Sequence, residues 1–527
     1  MKTAKETMHR FLLKLSILPT IIAIGAISYT YIVQFHEQAS PQPQDFYSVV
    51  FDAGSTGSRV TVFHFLKPEG KDQDSRVILD KEVFHSVQPG ISFYANKPSD
   101  AAVSLTSLMN TAIKNVPESY YNDTSINFKA TAGLRLLPED KALAILHEVK
   151  YFLKRSPFLI SDLDKVTVMS GVEEGLFAWV SVHFLLDLIW DDTIDNSVTT
   201  FDLGGGSTQI TFEVSKKELF KHFDEEDLYK LTFGQDLHFN IFTKSYLGFG
   251  LKSARLGVLG GQEGHNGQIT YDPVKTKRSP SGDIQMLTPC LHTQQQYNFT
   301  HGDKVYLVKG TNENHDLLAE CQKVVHKFVD TAKFVQSEEL SRRDINLFSY
   351  FFDVARWAKL IPWKDSHEVL QVQDYLMAAQ KYCLVENMNH KHPYLSIDCL
   401  VENMNHKHPY LSIDCLVENM NHKHPYLSID CLVENMNHKH PYLSIDCLVE
   451  NMNHKHPYLS IDCLVENMNH KHPYLCIDLL YVHSLLTVGI GLHPEKLLHV
   501  ETKIRGKEVS WSVGAALSNE FTYSKLL

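Results

Sequence analysis

Apolar and polar positions along the chain fall into two kinds of pattern. Short β-prone runs end in turns of small residues, and longer stretches repeat at helical spacing. Val49-Val50-Phe51 leads into Asp52-Ala53-Gly54-Ser55-Thr56-Gly57-Ser58-Arg59, then a second run, Val60-Thr61-Val62-Phe63-His64-Phe65. This spells strand, tight loop, strand. Ala101 to Val116 places Val103, Leu105, Leu108, Met109, Ala112, Ile113 and Val116 on one helical face. Phe128-Lys129-Ala130-Thr131-Ala132-Gly133-Leu134-Arg135 reads as a strand ending in a small-residue turn. Glu139 to Lys154 reads as an amphipathic helix. Val166-Thr167-Val168-Met169 is strand-like and runs through Ser170-Gly171-Val172-Glu173-Glu174-Gly175 into a helix from Leu176 to Leu188. Val198-Thr199-Thr200-Phe201-Asp202 then enters Leu203-Gly204-Gly205-Gly206-Ser207-Thr208-Gln209 and leaves as Ile210-Thr211-Phe212-Glu213-Val214, apolar at alternate positions.

The two Asp-plus-glycine loops are built for phosphate. Gly54 and Gly57 let the backbone approach an anion and point N–H groups at it. Ser55, Thr56 and Ser58 add hydroxyls, and Arg59 adds a permanent charge with a forked donor set. One such loop is compatible with an ordinary hairpin turn. The second copy, Asp202 to Gln209, argues for two lobes that clasp one phosphate chain. No GxxxxGK[ST] occurs, nor a GxGxxG opening a helix, so neither a P-loop nor a dinucleotide fold is indicated. Thr131 and Arg135 can reach a ligand, with a plain strand-to-helix turn as the alternative. Glu173 and Glu174 stand at a strand-to-helix turn, where one can take a proton from an attacking water. Acids that favour a helix dipole are the alternative reading.

Composition narrows the class. The chain has 527 residues, 43% of them hydrophobic, and a formal net charge of −12. That acidity, with no zinc finger, RNA-recognition signature or basic stripe, argues against nucleic-acid binding. Lys2, Lys5, Arg10 and Lys14 precede an apolar run from Leu15 to Val33, long enough to span a bilayer. The charge asymmetry predicts a cytoplasmic tail over 1–14, a signal anchor over 15–33, and a stalk over 34–45 containing Pro41-Gln42-Pro43-Gln44. The rest then faces the lumen as a single-pass type II protein. A signal peptide cleaved near Ala26–Ser28 is the alternative, which would leave the protein secreted. Asn122-Asp123-Thr124 and Asn298-Phe299-Thr300 are glycosylation sequons and fit that address.

Cys383 to Asp478 is six tandem copies of a 16-residue unit, Cys-Leu-Val-Glu-Asn-Met-Asn-His-Lys-His-Pro-Tyr-Leu-Ser-Ile-Asp, with Cys476 replacing Ser in the last. This period fits no standard solenoid, and the proline in each unit blocks a continuous helix. His-Lys-His invites a metal reading, but nothing supplies a fixed third ligand. A tandem duplication explains the near-identity better.

DAGSTGSR (52–59), TAGLR (131–135), SGVEEG (170–175), DLGGGSTQ (202–209) and WSVGAAL (511–517), in that order, resemble the five motifs of the apyrase family of nucleoside tri- and diphosphate hydrolases. EEGLFAWVSVHFLL (173–186) and SYLGFGLKSARLGVLGG (245–261) resemble its secretory-pathway nucleoside diphosphatase branch, resident in the Golgi or endoplasmic reticulum. The resemblance implies an α/β, two-lobed actin-like (ribonuclease H-like) fold with the nucleotide in the interlobe cleft. It implies lobe I from 46–169 and 490–527, and lobe II from 170–489 with the repeat inside it. It implies hydrolysis of UDP, GDP or IDP to a nucleoside monophosphate and phosphate by direct water attack. Glu174 would be the general base, with Ser207, Gln209 and Thr131 placing the water. Asp52 and Asp202 would hold Mg²⁺ or Ca²⁺, mostly through water. Gly54, Ser55, Thr56, Gly57, Ser58, Arg59, Arg135, Gly204, Gly205, Gly206, Ser207 and Thr208 would bind the phosphates. Tyr350, opening the run Tyr350-Phe351-Phe352-Asp353, would meet the base, although an aromatic run is more often core, and Trp511 would close the pocket, with a buried core Trp as the alternative. Disulfides Cys290–Cys321 and Cys463–Cys476 are implied, leaving five thiols. An actin-fold kinase, an exopolyphosphatase and a catalytically dead nucleotide-binding protein are the rival readings. The residues do not indicate an oligomeric state.

Overall fold

The computed structural model describes residues 44–526, apart from 68–75, 161–162, 164–165, 192, 220–222, 265–267, 280–281, 303, 314–315 and 385–471. The expected anchor at 15–33, four of the six repeat units and most of the first and last units lie outside the described residues. Among the described residues, no helix is long and apolar enough to cross a membrane.

Two sheets repeat one plan. In the first, β1 (Gln44–Ala53) pairs antiparallel with β2 (Ser58–Lys67), and β2 with β3 (Ile78–Val87). On its other side β1 pairs parallel with β4 (Ser125–Ala130), and β4 with β5 (Thr167–Val168). In the second, β6 (Thr199–Leu203) pairs antiparallel with β7 (Ser207–Glu213), and β7 with β9 (Leu237–Leu247). On its other side β6 runs parallel to β16 (Ile345–Ser349), and β16 to β18 (Leu497–Glu501). The order of the second sheet is completed by β8 (Leu228–Phe233) and β21 (Phe521–Lys525) at one edge, and by β17 (His367–Gln371) at the other. A smaller four-stranded sheet spans 276–312.

Strand alternation sends successive residues to opposite faces. Val49 and Phe51 join one core with Val60, Val62 and Phe128. Val50 faces the other way, into a core shared between the sheets with Phe63, Phe65, Trp179, Phe239 and Phe348. The helix Gly171–Leu185 runs through that shared core and is apolar on nearly every side, as a helix buried all round must be. A third core lies beyond the second sheet and includes Phe201, Leu203, Ile210 and Phe351.

Three expectations change. The stretch from Ala101 to Val116 is two helices, Pro98–Ser104 and Thr106–Asn115, which meet at Leu105. Residues 490–527 do not return to the first lobe as a unit. β18 and β21 are hydrogen-bonded into the second sheet, while the short helix Ser512–Ala516 reaches back against Gly171–Leu185 and β1, and Lys507, Glu508 and Glu520 bond Asp80, Glu82 and Lys67 of the first sheet. Gly514 makes that approach possible, since a Cβ there would lie 2.2 Å from the Phe177 carbonyl oxygen. The third concerns a disulfide. Cys290–Cys321 is present as expected, but Cys476 bonds Cys383 rather than Cys463. The twelve residues after Cys383 and after Cys463 are identical in sequence. What distinguishes Cys383 is the helix before it, Val372–Leu384, which packs along the helix Leu475–Ser484 carrying Cys476.

Candidate active site

Each hairpin closes its loop in the same way. The Gly54 N–H donates to the Gly57 carbonyl at 3.0 Å, and the Gly204 N–H to the Ser207 carbonyl at 3.0 Å. In each, the strand-end Asp stands opposite a long polar residue: Asp52 opposite Arg59 and Asp202 opposite Gln209. The second loop is backed by the helix Leu251–Val258. The amides of Leu251 and Lys252 donate to the carbonyls of Gly204 (2.9 Å) and Gly205 (3.0 Å). Gly250 allows that contact, because a Cβ there would meet the Ser207 amide nitrogen at 2.4 Å. The two loops touch across the cleft at Gly205, against Ser55 and Thr56.

Glu174 lies between the sheets, in the first turn of the helix Gly171–Leu185, and is buried. Its Oε2 accepts from the Arg135 guanidinium and from Gln209 Nε2 at 3.0 Å. Gln209 Nε2 also reaches Ser207 Oγ at 2.7 Å and Ser245 Oγ at 2.9 Å. Burial pushes the Glu174 carboxyl up, Arg135 opposes this, and Asp52 reinforces it. Arg135, read from sequence as a phosphate ligand, here bonds Glu174 and so favours its ionised form. Glu173 is used differently. It completes a capping box with Ser170: Glu173 N–H donates to Ser170 Oγ at 3.1 Å, and Ser170 N–H to Glu173 Oε2 at 3.0 Å. The alternative, helix-terminal reading therefore describes Glu173.

Asp52 and Asp202 are both buried. Asp52 Oδ2 accepts from Arg59 at 3.1 Å. The other oxygen of each, Oδ1, is buried with no hydrogen-bond partner. Burial raises both carboxyls. For Asp202 the charges of Glu174 and Asp52 add to it, and a hydrogen bond from Ser349 opposes it, giving a value of about 7. Three converging carboxylates with two orphaned oxygens suit a hydrated divalent cation. Among the described residues, no three His, Cys, Asp or Glu side chains form a direct metal cage.

The remaining expected residues divide. Thr131 is buried at the turn after β4, and its N–H donates to the Ala53 carbonyl at 3.2 Å. The Thr208 hydroxyl is committed to the Phe249 carbonyl at 2.7 Å and so serves the loop's shape. The Ser58 hydroxyl is buried without a partner. Phe351 and Phe352 are core. Tyr350 is half-buried, hydrogen-bonds Thr56, and lines a cavity of 120 Å³ with Arg255, Trp357, His472 and Tyr474. Trp511 is buried in the shared core and does not line that cavity. Asn122 and Asn298 are exposed. Sequence reasoning missed Ser245, Arg255 and Ser349. They lie outside the five motifs, and only strand pairing brings Ser245 beside Gln209.

The model of the GDA1/CD39 (nucleoside phosphatase) family matches residues 38–392. The chain belongs to that family. Among its GDA1/CD39 relatives, ectonucleoside triphosphate diphosphohydrolase 5 of Gallus gallus is 36% identical over 355 residues, 67% of this chain and 78% of the relative. Nucleoside diphosphate phosphatase ENTPD5 of Homo sapiens is 35% identical over 358 residues, 67% of this chain and 77% of the relative. A nucleoside triphosphate hydrolase structure from Neospora caninum shares the fold, with a TM-score of 0.52 at 12% identity, over 94% of this chain and 96% of that one. The actin-like architecture expected of the GDA1/CD39 chain is thereby the observed one.

Proposed function

We propose that the protein hydrolyses nucleoside diphosphates to nucleoside monophosphate and phosphate by direct attack of water on the terminal phosphorus. The observation that carries this is Glu174, a buried carboxylate pinned by Arg135 and Gln209 beside two matched phosphate loops. The relatives' names, one a nucleoside diphosphate phosphatase, support the substrate class.

The loop N–H groups and the hydroxyls of Ser55, Thr56 and Ser207 bind the terminal phosphate oxygens. Arg59 offsets their charge. Ser207 and Gln209 orient the water, with Thr131 beside them, and Glu174 takes its proton as oxygen bonds phosphorus. The bridging oxygen leaves with the monophosphate. Asp52 and Asp202 would hold Mg²⁺ or Ca²⁺, and the cation would supply charge neutralisation on the phosphates. The base of UDP, GDP or IDP lies toward Tyr350 and its cavity, while Trp511 supports the closed cleft from within the core. Residues 15–33 anchor the chain in a Golgi or endoplasmic-reticulum membrane, with the folded part lumenal and glycosylated at the exposed Asn122 and Asn298.

The name "triphosphate diphosphohydrolase" among the relatives favours a second reading, a broader nucleoside tri- and diphosphatase. Phosphate release from UDP, GDP, IDP, ADP and ATP with Mg²⁺, Ca²⁺ or EDTA separates the two. The first reading predicts diphosphates well ahead of ATP and no turnover in EDTA. Equal rates on ATP favour the second, and EDTA-resistant turnover contradicts the cation's role in both.

A further inference from the structure

The two hairpins share more than their loops. β4, parallel to β1, ends at Ala130, and the next residue, Thr131, immediately precedes the helix Ala132–Arg135. β16, parallel to β6, ends at Ser349, which immediately precedes the helix Tyr350–Trp357. Each strand-end Asp therefore has a hydroxyl residue at the neighbouring strand-to-helix turn. Thr131 sits in one of the five motifs; Ser349 sits in none.

The backbone of Ser349 is unusual. Its φ is 60° and its ψ is −129°, a region that essentially only glycine occupies without strain. Strand register explains what the strain achieves. Phe348 pairs with Asp202, and Ser349 with Leu203. Leu203 points into the core beyond the second sheet, and regular alternation would send Ser349 the same way. The positive φ turns it instead toward the cleft, where it is exposed and hydrogen-bonds Asp202. Strain of this kind persists where the surroundings impose it and clusters at functional sites.

We infer that Ser349 is a positioning residue for the cation-holding carboxylate. Its hydroxyl donates to Asp202 and fixes the plane of the carboxylate, so that the unpartnered Oδ1 faces the cleft. This rests on the proposed role of Asp202 as a water-mediated ligand of a divalent cation. Ser349 is the second lobe's counterpart of Thr131, adapted to hold the carboxylate rather than the attacking water.

The test uses the full chain with Ser349→Gly and Ser349→Ala. Glycine suits the observed backbone, so the first variant should fold and melt no lower than the parent. MgCl₂ or CaCl₂ is titrated in the presence of α,β-methylene UDP, and the cation-induced rise in melting temperature is followed. Phosphate release from UDP is measured over the same cation series. Both variants should need about 10-fold more cation at the midpoint of each curve, as loss of a group that orients a metal ligand does. A purely structural serine would shift melting without moving the cation midpoint. Unchanged midpoints in both variants, with a responsive parent, would overturn the role of Ser349 alone. A parent with no cation response in either readout would overturn the site reading and this inference together.

Discussion

Gly205 of the second loop lies directly against Ser55 of the first. A Cβ at position 205 would sit 2.4 Å from the Ser55 hydroxyl oxygen and 3.0 Å from Thr56 Cγ2. The two phosphate loops are therefore one surface, and their separation is set by the absence of a single side chain. Gly205→Ala forces the Ser55 and Thr56 side chains to shift, at the point where the proposed function places the terminal phosphate. A misplacement of this order costs about 100-fold in rate. Steady-state kinetics should show that loss in kcat/KM, with a melting temperature close to the parent's.

Arg135 holds Glu174 against the effect of burial. The carboxyl is raised by desolvation, and Arg135 is the largest opposing influence. A base must be ionised to act, so activity falls as pH drops through the Glu174 pKa. Arg135→Ala removes the cation and moves that acidic limb to higher pH, by about 1–3 units for a lost opposite charge. The pH profile of kcat/KM reads the shift directly. A limb that stays in place would mean another group controls it.

The last repeat unit is bound into the fold through Asp478. Its carboxylate takes two hydrogen bonds from Arg255, Nε at 3.0 Å and Nη2 at 2.5 Å, and its side chain is only 2% exposed. Arg255 also lies over the Tyr474 and Phe299 rings. Asp478→Ala leaves a buried guanidinium unpaired and should destabilise by about 3–5 kcal/mol. Denaturant melts test this. Replacing both partners with apolar residues should recover much of the loss.

His183 makes stability depend on pH. It is fully enclosed, its Nε2 accepts from the Val198 N–H at 3.2 Å, and its Nδ1 bonds the Trp179 carbonyl at 2.9 Å, so the Nδ1–H tautomer is fixed. Burial lowers its pKa from 6.5 to about 3. Below pH 6.5 the unfolded chain takes up a proton that the folded chain refuses. Its contribution is therefore complete above pH 6.5 and is lost as pH falls toward 3, at up to about 1.4 kcal/mol per pH unit. Melting temperature should fall between pH 7 and pH 5, and His183→Gln should flatten that dependence.

The sequence made the hairpins legible because strand periodicity and glycine loops are local signals. Asp52, Glu174 and Asp202 could be named for the same reason, each inside a motif. What escaped was set by tertiary pairing. Ser245 matters because β9 lies beside β7, and Arg135 faces Glu174 rather than open cleft because the turns after β4 and β5 converge. Cys383 and Cys463 are each followed by the same twelve residues, so the helix preceding Cys383 is what distinguishes the observed partner of Cys476. The resemblance places the C-terminal stretch 490–527 in the first lobe. Its strands follow the open edge of β8 and the parallel side of β16 instead.

The central claim is that Glu174 activates water for attack on the terminal phosphorus. The most direct measurement is single-turnover hydrolysis of UDP in ¹⁸O-water by the parent and by Glu174→Ala. The account predicts one ¹⁸O in the released phosphate and none in UMP. It also predicts a rate in the variant lower by about 100- to 10,000-fold, the usual worth of a positioned base. Label in UMP, or a variant that turns over at the parent's rate, would contradict it.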